Sequence, residues 1–325
     1  MSATAQATTM TYAAALDAAI AAEMRADDSI FLMGTALPAA AIEEFGPARV
    51  RVTPISEPGM TGIAVGAASA GKRPVVNWRN ITFAMNSFDQ VVNQAAKIRY
   101  MLNGQTTVPV VFRAVSGGGQ RLAAQHSQSP YSMLAHIPGL KVIVPSCAAD
   151  AYGLMRAAIR DDNPVICFEP GRLMATEEPV DQELVLPLGQ AAVRRPGTDV
   201  TLVAIGFMVG LAEAAAAELE GDGVSTELID VRSVAPLDLD SIKASVLRTG
   251  RLVVADEAPE ICSVASEICA AVASDPECFA ALQAPPVRVC GLAAPVPFSA
   301  SLEDYVLPDR GDVVSGLRRA LGQSA

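Results

Sequence analysis

The sequence predicts an α/β chain of two domains, each a parallel sheet flanked by helices, and three observations predict it. Short apolar runs rich in β-branched residues recur along the chain, helix-length segments separate them, and a stretch rich in Pro and charge divides the series in two. Strands that alternate with helices pair in parallel and are covered on both faces. A length of 325 residues with 51% hydrophobic content is enough to bury a core in each half.

The first series of strands reads IFLMG from Ile30, RPVVNW from Arg73, VPVVFR from Val108, KVIVPS from Lys141 and PVICFE from Pro164. Helical segments at 84–102 and 148–161 fall between them. From Thr176 the sequence TEEPVDQELVLPLGQAAVRRPGT has no sustained period, so the first domain is placed at 1–180 and a linker at 181–198. The second domain, 199–325, opens with DVTLVAIG from Asp199 and continues with STELIDV from Ser225, RLVVADE from Arg251 and PVRVCG from Pro286. Its helices are predicted at 207–220, 238–248, 262–273 and 310–321. Short-period repeats are absent from the sequence.

Several functional classes are excluded at this stage. Lys and Arg number 24 against 35 Asp and Glu, a net charge of -11, and no basic cluster suits a nucleic-acid backbone. No uncharged apolar stretch of about 18 residues suits a bilayer. The N-terminal segment lacks Lys, has no Arg before Arg25, and is interrupted by Asp17 and Glu23, so neither a signal nor a transit peptide is expected and a cytoplasmic location is. Cys147, Cys167, Cys262, Cys269, Cys278 and Cys290 form no CxxC pair, so reduced core residues are expected, with Cys262 and Cys269 on one helical face. The run GAASAGKR from Gly66 has phosphate-loop spacing but follows a helix and precedes a strand, the inverse of a phosphate loop. Gly71 there reads as a helix C-terminal glycine.

Three segments remain: TPISEPG from Thr53, WRNITF with FDQVVNQAAKIRY between Trp78 and Tyr100, and GGGQRLAAQHSQ from Gly117. Each adjoins the C-terminal end of a predicted parallel strand, where open α/β sheets bind ligands. Taken singly they are weak. Glu57 alone is an ordinary carboxylate at a helix start, Phe83 alone is a core aromatic, and His126 alone is a structural histidine.

Together, with HIPGLKVIVPS, AAIRDDNP, TGRLVVADEAP and VPFSASLEDYVLP, they resemble the β subunits of thiamine-diphosphate-dependent 2-oxo acid dehydrogenases, the pyruvate, branched-chain and acetoin enzymes, over nearly the whole chain. The resemblance implies a pyrimidine-binding transketolase-like domain followed by a transketolase C-terminal-like domain. It implies that Glu57 hydrogen-bonds the pyrimidine of thiamine diphosphate, with Ile55 beside it, that Phe83 stacks on that ring, and that His126 is the active-site histidine, oriented by Gln125 and Gln128. It further implies a monovalent-cation loop, for potassium, at Ala158, Ile159, Asp161 and Asn163.

The magnesium-diphosphate motif of such enzymes is GDG with an Asn beyond it. Gly221, Asp222 and Gly223 have no Asn after them, since the last is Asn163, and read as a turn. The diphosphate and Mg2+ ligands are therefore expected on an α subunit, in a heterotetramer of two α and two β chains, with self-association through the second domain. The reaction implied is decarboxylation of a 2-oxo acid, or cleavage of acetoin, with acyl transfer to a lipoyl acyltransferase. Departures from the family are Gly34-Thr35-Ala36, which lacks the usual acidic residues, Pro170 to Ala175 in place of a His-Lys segment, and Trp78-Arg79; they suggest an unusual acyl donor or a paralogue with shifted chemistry. The alternatives are a split transketolase, which needs more Arg and His for sugar phosphates, and a non-catalytic scaffold.

Overall fold

The structure is a computed structural model describing residues 7–323. Contacts group these residues into two units, one running to Ser116 and resuming over Met133–Leu188, the other comprising Gly117–Ser132 and the chain from Gly189. This division differs from the sequence-based boundaries at three places: 117–132 and 189–198 join the second unit, and 181–188 joins the first.

In the first unit the strands are β1 (Thr8–Thr11), β2 (Ile30–Gly34), β3 (Val50–Val52), β4 (Arg73–Asn80), β5 (Val111–Ser116), β6 (Lys141–Ile143), β7 (Val165–Pro170) and β8 (Glu177–Val180). Six of them run parallel in the order β6-β7-β5-β4-β2-β3. Every residue of β2 and β7 is buried, as expected for strands covered on both faces. On one face the helices Tyr12–Ala26 and Ala148–Arg160 pack together through Leu16, Ile20, Met24, Leu154 and Met155. β1 and β8 form a separate antiparallel pair.

The second unit contains β9 (Ala192–Arg195), β10 (Val200–Ala204), β11 (Thr226–Asp230), β12 (Ser233–Ala235), β13 (Leu252–Pro259) and β14 (Val287–Gly291). Its sheet has the order β14-β13-β10-β11-β9, parallel except for β9. β9 lies inside the segment read as linker. It is too short to show a period, and its place at the sheet edge is reinforced by Arg194, whose Nη2 donates to buried Asp230 at 2.7 Å.

Two local expectations are corrected. The single helix at 84–102 is instead a 3₁₀ segment (Ile81–Ser87), a π segment (Gln90–Ala95) and a short α-helix (Ile98–Met101). Asn86, Ser87, Val91, Val92 and Asn93 are weak helix formers, and Asn80 caps the 3₁₀ turn by accepting from the Thr82 amide. Cys262 does not share a helical face with Cys269. Ser263 caps the helix Val264–Ala273, so Cys262 stands outside it, exposed, at φ 55°. Of the six free cysteines only Cys167 and Cys278 are buried. Among the described residues no helix is long and apolar enough to cross a membrane.

Candidate active site

Because β2, β3 and β4 are parallel, the segments after Val52 and Asn80 leave the same edge of the sheet. The Thr53 amide still donates to Gly34 O at 2.9 Å, and the chain then turns into the helix Glu57–Ser69. Gly34 is required by close packing, since a Cβ there would lie 2.6 Å from Asn77 O. Glu57 is the first residue of its helix, with Pro58 following. It is 8% exposed, so a buried carboxylate occupies the positive end of the helix dipole. Ile55, two residues earlier, is 82% exposed in the single chain.

That helix is pinned to the segment carrying Phe83. Trp78 Nε1 donates to Thr61 Oγ1 at 2.9 Å, and the Thr61 hydroxyl donates to Ser87 Oγ at 3.0 Å. The Trp78 ring stacks on Phe112 of β5, centroids 4.6 Å apart and planes within 4°, an offset geometry that adds to area burial. Trp78 is therefore core, and the expectation that it alters the acyl donor is not carried by its position. Arg79, exposed at φ 65°, lies where the β4–β5 register shifts between Asn77 and Asn80. That bulge turns the chain into the 3₁₀ segment holding half-buried Phe83.

His126 ends the short helix Ala123–His126 and is half-buried, while Gln125 and Gln128 are exposed. Its segment is held by carboxylates of the second unit. Gly119 N–H donates to Glu303 Oε1 at 2.6 Å, and Arg121 N–H to Glu303 Oε2 at 3.0 Å. The Ser129 hydroxyl donates to Glu257 Oε1 at 2.8 Å, and the Tyr131 hydroxyl donates to Asp256. Burial pushes the Asp256 carboxyl up to about 6, against the opposing hydrogen bonds from Tyr131 and from the Ala258 and Ala265 amides. Gly117 has φ 84°, a conformation that strains other residues, and a Cβ there would lie 2.5 Å from Glu257 Oε1, which would have to shift.

Sequence reasoning gave no role to Asp256, Glu257 or Glu303. A signal for the first two exists: LVVADEAP places two carboxylates in an otherwise apolar strand, where acidic residues are found only when paired.

At the loop suggested for a monovalent cation, cationic side chains of the chain itself take up two backbone carbonyls and one side-chain carbonyl. Arg73 Nη1 donates to Ile159 O at 3.0 Å and to Asp161 O at 3.1 Å, and Arg99 Nη1 donates to Asn163 Oδ1 at 2.6 Å. The carboxylate of Asp161 accepts from Lys141 and from both nitrogens of Asn163. Burial would raise its pKa, but these donors outweigh burial and hold it below the usual carboxylate range. Ala158, buried at the end of the helix Ala148–Arg160, completes the loop.

Comparison with known proteins places this geometry in a wider context. Residues 8–176 match the family model "Transketolase, pyrimidine binding domain", and residues 189–313 match "Transketolase, C-terminal domain". The chain is 44% identical over 321 residues to the pyruvate dehydrogenase E1 component subunit beta of Rhizobium meliloti, covering 95% of this chain and 69% of that one. It is 43% identical to subunit beta-1 of the mitochondrial enzyme of Arabidopsis thaliana, covering 97% and 90%. It is 46% identical over 286 residues to the acetoin:2,6-dichlorophenolindophenol oxidoreductase subunit beta of Bacillus subtilis, covering 87% and 83%. Among solved structures a split-gene transketolase, an inactive β4 tetramer, superposes with a TM-score of 0.79 over 97% of this chain and 99% of that one, at 23% identity.

Proposed function

Because the chain belongs to the transketolase-type family of pyrimidine-binding and C-terminal domains, among the β subunits of pyruvate and acetoin dehydrogenases, we propose that it is the β subunit of a thiamine-diphosphate-dependent 2-oxo acid or acetoin dehydrogenase. The single observation that carries the reading at residue level is Glu57, a buried carboxylate at the start of a helix on the ligand-binding edge of a parallel sheet.

The residues present fit a pyrimidine ring. A buried carboxylate suits a ring nitrogen, and the 3₁₀ segment Ile81–Ser87, tied to the same helix through Thr61 and Ser87, supplies an aromatic face at Phe83. Thr82 Oγ1 and Gln90 Oε1 are buried and have no hydrogen-bond partner among the described residues. Such groups are costly unless something bonds them, and the amino and ring nitrogens of a pyrimidine are groups of the right kind.

Thiamine diphosphate, when bound, supplies the nucleophilic carbon and the electron sink for decarboxylation or ketol cleavage. Glu57 would hydrogen-bond the ring nitrogen at its carboxylate and so act on the proton chemistry of the pyrimidine. Phe83 would hold the plane of that ring. His126 would deliver a proton from an imidazole nitrogen when the acyl group passes on. The chain offers no GDG motif with an Asn beyond it, so the Mg2+ and diphosphate ligands are assigned to an α subunit. The acyl acceptor is assigned to the lipoyl group of a partner acyltransferase, and the location to the cytoplasm. At 158–163 a potassium ion would share its carbonyls with the Arg73 guanidinium, and no step depends on it.

The reading is tested by co-expressing the chain with an α-type chain that carries the diphosphate motif. The complex is then assayed with pyruvate, branched-chain 2-oxo acids and acetoin against an artificial electron acceptor, and with ketose phosphates as donors to an aldose phosphate. Oxidative turnover of a 2-oxo acid or acetoin is expected. Ketol transfer between sugar phosphates in its place would establish the split-transketolase alternative.

A further inference from the structure

We propose that Glu303 is a positioning residue for His126, acting through the backbone of the glycine-rich turn; the inference rests on the role given to His126 above. Between 117 and 123 every second residue has positive φ: Gly117 at 84°, Gly119 at 85°, Arg121 at 60° and Ala123 at 60°. For Arg121 and Ala123 this conformation is sterically disfavoured, and it persists only where the surroundings over-determine it. Glu303 supplies that determination. Its side chain is fully buried, Oε1 accepts the Gly119 amide at 2.6 Å, and Oε2 accepts both the Arg121 amide at 3.0 Å and Arg121 Nη1 at 2.9 Å.

The chemistry of the clamp is specific to a carboxylate. Three N–H donors of the turn converge on two oxygens that only accept, whereas an amide in the same place would present one NH2 donor to a donor. The turn leads directly into the helix Ala123–His126, so the direction in which the imidazole leaves the backbone depends on φ at 121 and 123. A buried carboxylate with these donors removed is itself destabilised, so the clamp and the turn are mutually dependent.

The test uses the assembled α and β complex with Glu303→Gln, His126→Ala and the double variant. Hydrogen exchange read by mass spectrometry over 117–128 should show protection lost by about 10-fold or more in Glu303→Gln. Turnover should fall roughly 10- to 100-fold, as for a misplaced catalytic group. Proton exchange at the thiazolium carbon, which the pyrimidine held by Glu57 would promote, should stay at the wild-type rate. The double variant should be no slower than His126→Ala, because residues acting as one unit are not additive. Wild-type protection of the turn in Glu303→Gln, or multiplicative losses in the double variant, would overturn the proposal. Should Glu303→Gln fail to assemble, Arg121→Gln loosens the same turn from its outer side, the Arg121 side chain being 39% exposed. Unchanged protection and turnover there would overturn it equally. Lost protection in Glu303→Gln beside undiminished turnover in His126→Ala would instead sink the role of His126 and leave the clamp standing.

Discussion

Trp78 donates its indole N–H to Thr61 Oγ1 at 2.9 Å, and Thr61 lies one helical turn after Glu57 on the helix Glu57–Ser69. The only tryptophan of the chain thus anchors the helix that presents the carboxylate, while its ring fills the core against Phe112. Trp78→Phe keeps the stacking and deletes the donor and part of the volume. A loss of about 1 to 3 kcal/mol is expected, read from the urea midpoint at fixed protein concentration. Preference among acyl donors should be unchanged, and a shift in that preference would return Trp78 to the substrate path.

Much of the fold was legible because parallel strands covered on both faces are written as continuous apolar runs, as in IFLMG and VICFEP. β9 was not, because four residues at a sheet edge carry no period. The 3₁₀ and π segments between Ile81 and Ala95 escaped for another reason. Their apolar spacing resembles an α-helix, and only the bulge at Asn77 to Asn80 and the Asn80 cap set their actual path. For the site, Glu57, Phe83 and His126 stood out by motif, but the acids that hold the His126 segment lie far along the chain, at Asp256, Glu257 and Glu303. Nothing local pairs Gly119 with Glu303.

Asp256 makes stability depend on pH in a direction unusual for a carboxylate. Its folded pKa is raised to about 6, chiefly by burial, above an unfolded value of about 3.9. The stabilising contribution is therefore fully present below the unfolded pKa and is lost as pH rises through about 6. Asp256→Asn keeps an acceptor for the Tyr131 hydroxyl and the Ala258 amide and removes the titration. Relative to wild type the variant should gain stability between pH 4 and pH 7.5, by about 3 kcal/mol at most for a shift of this size. Denaturation midpoints of both proteins across that range supply the comparison, and a pH-independent difference would refute the assignment.

The isolated chain should bind thiamine diphosphate poorly and associate with itself. It offers a carboxylate and an aromatic face for the pyrimidine, with the diphosphate and Mg2+ ligands assigned elsewhere. Phe298, Leu302 and Tyr305 of the second unit are 72%, 53% and 75% exposed, a concentration of apolar surface suited to burial in an assembly. Calorimetry with Mg2+ and the isolated chain should detect no micromolar binding, and sedimentation at micromolar concentration should show at least a dimer. Tight binding without a partner would contradict the split site, and a stable monomer would contradict self-association.

The separate roles of Glu57 and His126 yield the sharpest contrast. Glu57→Gln keeps the shape of a side chain buried at the start of its helix and removes the ionisable proton partner. Exchange of the thiazolium proton in the assembled enzyme should then slow by about 100- to 10,000-fold, the range for a lost acid or base. His126→Ala should leave that exchange near the wild-type rate, since the imidazole is assigned to the later step. Its loss, of about the same size, should fall on acyl transfer to a lipoyl acceptor. Quenched-flow NMR of the exchange, beside single-turnover measurement of acyl transfer, resolves the two steps. Wild-type exchange in Glu57→Gln would remove the assignment of that carboxylate, and slowed exchange in His126→Ala would show the histidine acting on cofactor activation instead.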